Sequence, residues 1–147
     1  MNELDFTSLK LNSQLCFPLY AASREVIRQY RPFLDELDLT YTQYITMLVF
    51  WEVGSINVKE LGRRLYLDSG TLTPLLKSLE AKGYVHRSRS KNDERVLIVE
   101  LTEEGEALKA RAAGVPAGIR NLISLNEEEA VQLYRLLYKL IAADSEE

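Results

Sequence analysis

A mainly α-helical domain with a small β-hairpin, arranged as a winged helix-turn-helix, is the fold that this sequence of 147 residues predicts. Three observations predict it. Glycine and proline are sparse, at seven and four residues, so little interrupts helix formation. Two amphipathic helical patterns between Val58 and Lys82 are separated by only a short turn. A strongly charged hairpin pattern follows them at once, and that order is the sequence form of the fold.

The elements follow in chain order. From Leu11 to Tyr30, Leu15, Leu19, Ala22, Val26, Ile27 and Tyr30 recur at helical spacing. Pro18 interrupts this run, and proline is tolerated only in a first turn or at a kink. Arg31-Pro32 is expected to end the helix, because a residue before proline is pushed out of the α region. Thr40-Tyr41-Thr42-Gln43 has the form of a capping box and opens a second helix, to about Glu52, that Gly54-Ser55 stops. Val58 to Leu65 reads as a short helix. Asp68-Ser69-Gly70 reads as a cap, and Gly70 to Lys82 as a helix with Leu72, Leu75, Leu76 and Leu79 inward. Tyr84 to Arg87 and Val96 to Leu101 read as strands around a polar loop from Ser88 to Arg95. Thr102 opens another helix, which Gly114 and Pro116 weaken or kink. The last helix begins near Ser124 to Glu129, where consecutive glutamates suit a positive helix end, and runs to about Ala143.

Composition narrows the function. The net charge is -4, which argues against simple coating of nucleic acid. The charge is unevenly placed, however. Between Lys59 and Arg95 nine Lys/Arg stand against five Asp/Glu, so that segment is +4 and the remainder is -8. A basic module in an acidic body is the electrostatic footprint of a DNA reader. No apolar run approaches the roughly 20 residues of a membrane span. The N-terminus is acidic and shows no secretory signal, so a cytoplasmic location is expected. One Cys and one His cannot supply a metal-ligand cluster, and no cofactor is expected.

The helix from Ser69 presents small or polar residues: Ser69, Gly70, Thr71, Thr73, Pro74, Lys77 and Ser78. Small side chains let a helix sit deep in a major groove, and hydroxyls can contact bases or phosphates. Lys59 stands at the start of the preceding helix. Arg87, Arg89, Lys91 and Arg95 on the hairpin can reach the minor groove or the backbone, and Asp93 can brace Arg95 by a charge-assisted hydrogen bond. Taken singly, the Ser69 segment is an ordinary helix cap and the hairpin a solvated turn; their order is what points to DNA.

At these residues the sequence resembles the MarR family, and within it the organic-hydroperoxide repressors of the OhrR type. The resemblance rests on Asn12 to Phe17, Leu39 to Tyr44, Val58-Lys59-Glu60-Leu61-Gly62, Leu67 to Leu76, and Asp93-Glu94-Arg95. It covers nearly the whole chain. It implies a single domain, with dimerisation helices at 1–35 and 102–147 and a DNA-binding region at 40–101. It also implies a homodimer with two recognition helices on palindromic double-stranded operator DNA, released upon oxidation. In such proteins tyrosines near the dimer interface read the cysteine, and Tyr20 and Tyr30 match them by position. Pro18 departs from the family pattern, and the single cysteine places the chain with the one-cysteine subgroup.

The resemblance makes Cys16 the redox sensor. Flanked by Leu15 and Phe17, it would serve as well, on its residues alone, as an inert buried hydrophobe. Pro18 suggests a helix starting near Cys16, which puts the sulfur by unsatisfied amides that favour a thiolate. Tyr20, four residues on, lies on the same face. Peroxide would give a sulfenic acid, which can form a mixed disulfide with a small thiol, cyclise, join another chain or be over-oxidised. Tyr41, Tyr44 and Trp51 read as core or interface, and His86 as structural.

Other readings stay open. A MarR-type repressor could instead answer a small phenolic or acidic ligand, or hypochlorite or quinones. A thiol peroxidase using Cys16 lacks a Thr and Arg placed to stabilise the leaving hydroxide. A dimeric interaction module without DNA would have no use for the basic segment.

Overall fold

The computed structural model describes residues 4–142. Two single-turn 3-10 helices, Thr7–Leu9 and Leu11–Ser13, lead into α1 (Cys16–Asp35) and α2 (Tyr41–Val53). Strand β1 (Ser55–Asn57), α3 (Val58–Leu65) and α4 (Ser69–Ala81) follow. The hairpin is β2 (Val85–Arg89) and β3 (Leu97–Leu101), and α5 (Glu103–Ala112), α6 (Val115–Arg120) and α7 (Glu127–Ala142) close the chain. This is a mostly helical, winged helix-turn-helix architecture.

The core lies between α2, α4 and the sheet. Met47, Phe50, Leu61, Leu72, Leu76, Leu79, Val85 and Val99 are almost fully buried. The four leucines of α4 recur at helical spacing, so one stripe meets α2 and α3 while the other faces outward. The α2 start is the predicted capping box: Gln43 N–H donates to Thr40 Oγ1 at 3.2 Å, and Thr40 N–H to Gln43 Oε1 at 3.0 Å. Gly62 lets the turn after α3 close. Leu67 N–H donates to the Gly62 carbonyl at 3.0 Å, and a Cβ on Gly62 would stand 2.7 Å from the Leu67 carbonyl oxygen.

The structure corrects three expectations. Helix α1 does not stop at Arg31-Pro32 but continues through Pro32 to Asp35. An internal proline costs about 3 kcal/mol, yet the two residues after it are anchored. Leu34 is buried, and the Phe33 ring lies where a Cβ on Gly118 of α6 would stand 2.4 Å away. Tertiary packing overrides the local penalty. Second, Ser55-Ile56-Asn57 is more than a helix stop. It forms an edge strand with Ile56 opposite Val99, giving an antiparallel sheet in the order β1-β3-β2. Three residues are too few for alternation to register in sequence. Third, β2 extends to Arg89, pairing Ser88 with Ile98 and Arg89 with Leu97, so the loop is shorter than predicted. Gly114 and Pro116 break the next helix into α5 and α6 outright.

Candidate DNA interface and thiol site

Asp68 caps α4: Thr71 N–H donates to its Oδ1 at 2.8 Å. That amide, with the Thr71 hydroxyl, holds the Asp68 carboxyl below its usual range. The capped end fixes the exposed face of the helix. Ser69, Gly70, Thr71, Thr73, Pro74 and Lys77 lie exposed on it, opposite the buried leucines. Ser78 is only half-exposed. The Thr73 hydroxyl donates back to the Ser69 carbonyl at 2.8 Å. Pro74 has no N–H, so the Gly70 carbonyl loses its helical donor on this same face. Lys59 stands exposed at the second position of α3.

The hairpin divides its cations between two tasks. Arg87 is committed within the chain: its backbone N–H donates to Glu80 Oε2 at 2.7 Å, and its Nε to Glu80 Oε1 at 3.1 Å. These bonds tie β2 to α4 and hold the Glu80 carboxyl below its usual range, the Arg87 amide first among the causes. Arg89, Lys91 and Arg95 remain exposed. Asp93 braces Arg95 as expected, Oδ1 accepting from the Arg95 backbone N–H at 3.0 Å and from its Nε at 3.2 Å. The Arg95 side chain is 92% exposed all the same, held out from the wing tip. His86 is exposed, 3.7 Å from Glu80.

Cys16 is the first residue of α1, exposed, in a helix start that no side chain among the described residues caps. Pro18 is accommodated because it falls within the first turn. Tyr20, one turn further, is exposed, and its hydroxyl accepts from Arg24 Nη1 at 3.0 Å. The Arg24 guanidinium also lies 5.6 Å from the Tyr20 ring centre. Tyr30 sits in other company. Its ring centre is 5.0 Å from that of Tyr41 and 5.8 Å from that of Tyr44. Burial, reinforced by Tyr41 and then Tyr44, pushes the Tyr30 hydroxyl up to about 12, so the phenol stays neutral and able to donate. The chain thus brings Tyr30 to Tyr41 rather than to Tyr20 or Cys16. The place of Tyr41 in this cluster was not readable from sequence, since it needs α1 to run past Tyr30 alongside the start of α2.

Comparison with known proteins settles the family. The family profile of transcriptional regulators SarA/Rot matches residues 28–112. The organic hydroperoxide resistance transcriptional regulator of Bacillus subtilis is 48% identical over 139 residues, covering 95% of each chain. The chain belongs to the MarR family, in its organic hydroperoxide-resistance branch. Among solved structures, reduced AbfR bound to DNA superimposes with a TM-score of 0.76 at 34% identity, covering 95% of this chain and 97% of AbfR. Overoxidised AbfR bound to DNA gives 0.75 at 33% identity, covering 92% and 96%. A mutant MarR from E. coli, complexed with operator DNA, gives 0.80 at 26% identity, covering 93% and 99%.

This MarR-family chain is therefore a DNA-binding transcriptional regulator and not an enzyme. No helix among the described residues is long and apolar enough to cross a membrane, and those residues hold no group of three or more potential metal ligands.

Proposed function

We propose that this regulator is a homodimeric, cytoplasmic repressor that holds a palindromic operator while Cys16 is reduced, and leaves it when an organic hydroperoxide oxidises that sulfur. One observation carries the reading. Cys16 stands exposed at the head of an α1 whose first half the described residues leave uncovered. The B. subtilis relative is named for hydroperoxide resistance, and AbfR is seen on DNA in its reduced form.

In the DNA-bound state α4 enters the major groove through Ser69, Gly70, Thr71, Thr73 and Lys77, while Arg89, Lys91 and Arg95 contact minor groove or backbone. Lys59 is within the same face for phosphate contact. The dimer is built by α1, from the 1–35 segment, and by α5 to α7, from the 102–147 segment. Its support is the apolar surface left open on α7, including Val131, Leu133, Leu136 and Leu140. Two copies place two α4 helices on half-sites about one helical turn apart, roughly 34 Å.

In the sensing step the thiolate sulfur attacks the outer peroxide oxygen. The O–O bond breaks, and the alkoxide takes a proton from solvent to leave as an alcohol. A small thiol then condenses with the sulfenic acid, giving a mixed disulfide and water. The bulk of that adduct favours it as the releasing form, since overoxidised AbfR is found on DNA. Tyr20 is the phenol within one turn of Cys16. Tyr30 is fourteen residues further along α1, about 21 Å at 1.5 Å per residue, so its cluster can meet the sulfur only across a dimer.

The test is a gel shift with upstream promoter DNA before and after cumene hydroperoxide with added thiol, with mass spectrometry of Cys16. The parent should release DNA as the Cys16 adduct appears, and Cys16→Ser should bind DNA and stay bound. A Cys16→Ser protein that still releases DNA would overturn the reading that Cys16 is the sensor.

A further inference from the structure

The joint between α2 and the recognition helix α4 is mostly leucine packing, but it contains one buried polar knot. Gln43, 7% exposed, sits in the first turn of α2. Its Nε2 donates to Ser78 Oγ of α4 at 2.9 Å. Its Oε1 accepts from the Thr40 backbone N–H at 3.0 Å and from Lys82 Nζ, at the end of α4, at 3.3 Å. Lys82 Nζ donates in addition to the Asp38 carbonyl in the turn between α1 and α2. Gln43 thus gathers the α2 cap, Ser78 of α4 and the Lys82 that caps its end, and Lys82 adds the α1–α2 turn.

The location matters as much as the bonds. Gln43 lies between Tyr41 and Tyr44 in sequence, and both rings pack on Tyr30. The same turn of α2 carries the tyrosine cluster and the grip on α4. Leucine contacts tolerate small sliding, whereas a hydrogen bond is directional and weakens steeply when misaligned. A buried amide that loses its partner is also disfavoured, so this joint has discrete arrangements rather than a continuum.

We propose that Gln43 is a positioning residue that transmits the state of the tyrosine cluster to the recognition helix through its hydrogen bond to Ser78. This rests on the reading that Cys16 oxidation controls DNA release. In the reduced protein the bond holds the exposed face of α4 in register with the groove. When oxidation disturbs the tyrosines, the first turn of α2 moves, the Gln43–Ser78 bond is lost, and α4 leaves that register. Ser78 then acts on DNA through its bond to Gln43 and not by touching a base.

The experiment measures operator Kd for reduced protein and for protein oxidised with cumene hydroperoxide and cysteine, and takes their ratio. Ser78→Ala, which spares the α2 capping box, should shrink the parent's ratio about tenfold, the size of one ordinary hydrogen bond. Ser78→Thr, which keeps the hydroxyl, should restore it. Gln43→Met should shrink the ratio similarly, and combining it with Ser78→Ala should add little, as expected for partners in one bond. Circular dichroism checks that each variant is folded, and Gln43→Met carries the test if Ser78→Ala is not. A ratio unchanged in both single variants overturns the relay. So does an equal loss of affinity in both redox states, which would make Ser78 a plain DNA contact. A parent that does not respond to oxidant sinks the redox reading and the relay with it; a responsive parent with equally responsive variants sinks the relay alone.

Discussion

The segment from α2 to β3 and the two terminal helices are built to different standards of completeness. Between Tyr41 and Leu101 the chain buries Tyr44, Met47, Phe50, Leu61, Leu72, Leu76, Leu79 and Val99 among its own residues. Its helices are capped by Thr40, Asn57 and Asp68. The ends differ. Among the described residues, helix α1 buries only Leu34 along its length, and α7 buries none. Yet both have strongly apolar faces, with Phe17, Leu19, Ile27, Leu133, Leu136 and Leu140 open to solvent. Contiguous exposed apolar faces of this kind mark interaction surfaces. The reading head is finished by one copy of the chain, and the proposed dimer is what would cover the ends.

The sharpest way to break that contrast is to charge the face of α7. Leu133→Asp with Leu140→Asp puts two carboxylates on one stripe, seven residues apart. Each unpaired charge in an interface costs about 3 kcal/mol or more. Operator affinity should fall more than 100-fold as the protein becomes monomeric by light scattering, while circular dichroism stays unchanged. Retained dimerisation would mean that α7 is not the joining surface.

Where the start of α5 packs on the finished head, the largest effect should come from Gly105. A Cβ there would stand 2.2 Å from the Tyr84 carbonyl oxygen and 2.6 Å from Leu101 Cδ1, and the Gly105 carbonyl accepts from Trp51 Nε1 at 2.9 Å. Backbone cannot yield to a methyl group, so Gly105→Ala should destabilise by about 2–3 kcal/mol in urea unfolding. Gly114, outside the head, has no atom of the described residues within 4 Å of such a Cβ. Gly114→Ala should be neutral or slightly stabilising. Equal effects at both positions would remove the distinction in packing.

The same division explains what could be read from sequence. The helix-turn-helix was legible because its signals are local: the Thr40 to Gln43 box, the Asp68 cap, and leucines at helical spacing on α4 all form as read. The bracing of Arg95 by Asp93 spans two residues and was legible for the same reason. The end of α1 was misread because a proline signal is local while the anchoring of Phe33 and Leu34 is not. Strand β1 was missed since its identity lies in β3, more than forty residues away. The contacts of Tyr41 with Tyr30 and of Gln43 with Ser78 were not legible because the partners lie on other helices.

On the wing, Arg87 of β2 and Arg95 of the loop that follows it should separate by kind of effect. Arg95→Ala should weaken operator binding about tenfold and lower the salt slope by about one, the loss of a single phosphate contact. Its stability should be unchanged, because the side chain is 92% exposed. Arg87→Ala should instead lower stability, through the lost bonds to Glu80, and weaken DNA binding only as the hairpin loosens. If Arg87→Ala shows the salt signature and Arg95→Ala the stability loss, the two assignments are reversed.

The smallest effect lies at the junction of the two regions, where Tyr30 of α1 meets Tyr41 and Tyr44 of α2. Its hydroxyl is raised from the usual 10 to about 12, burial being the main cause and the neighbouring phenols the rest. A raised acid favours the folded state while it is neutral. The contribution is therefore complete below pH 10 and is lost as pH climbs through about 12. Tyr30→Phe cannot ionise, so the alkaline fall in stability should be shallower in this variant between pH 10 and 12. An ultraviolet titration should also lose its latest-ionising phenol. The exposed pair Tyr134 and Tyr138 on α7, with ring centres 4.7 Å apart, is the control. Burial contributes less there than their mutual hydrogen bond. Tyr134→Phe should leave the alkaline slope of the head untouched and move only the titration of Tyr138. If Tyr30→Phe keeps the parent's slope, the phenol is not held by the chain's own packing, and the line between finished head and unfinished ends must be drawn on the far side of Tyr30.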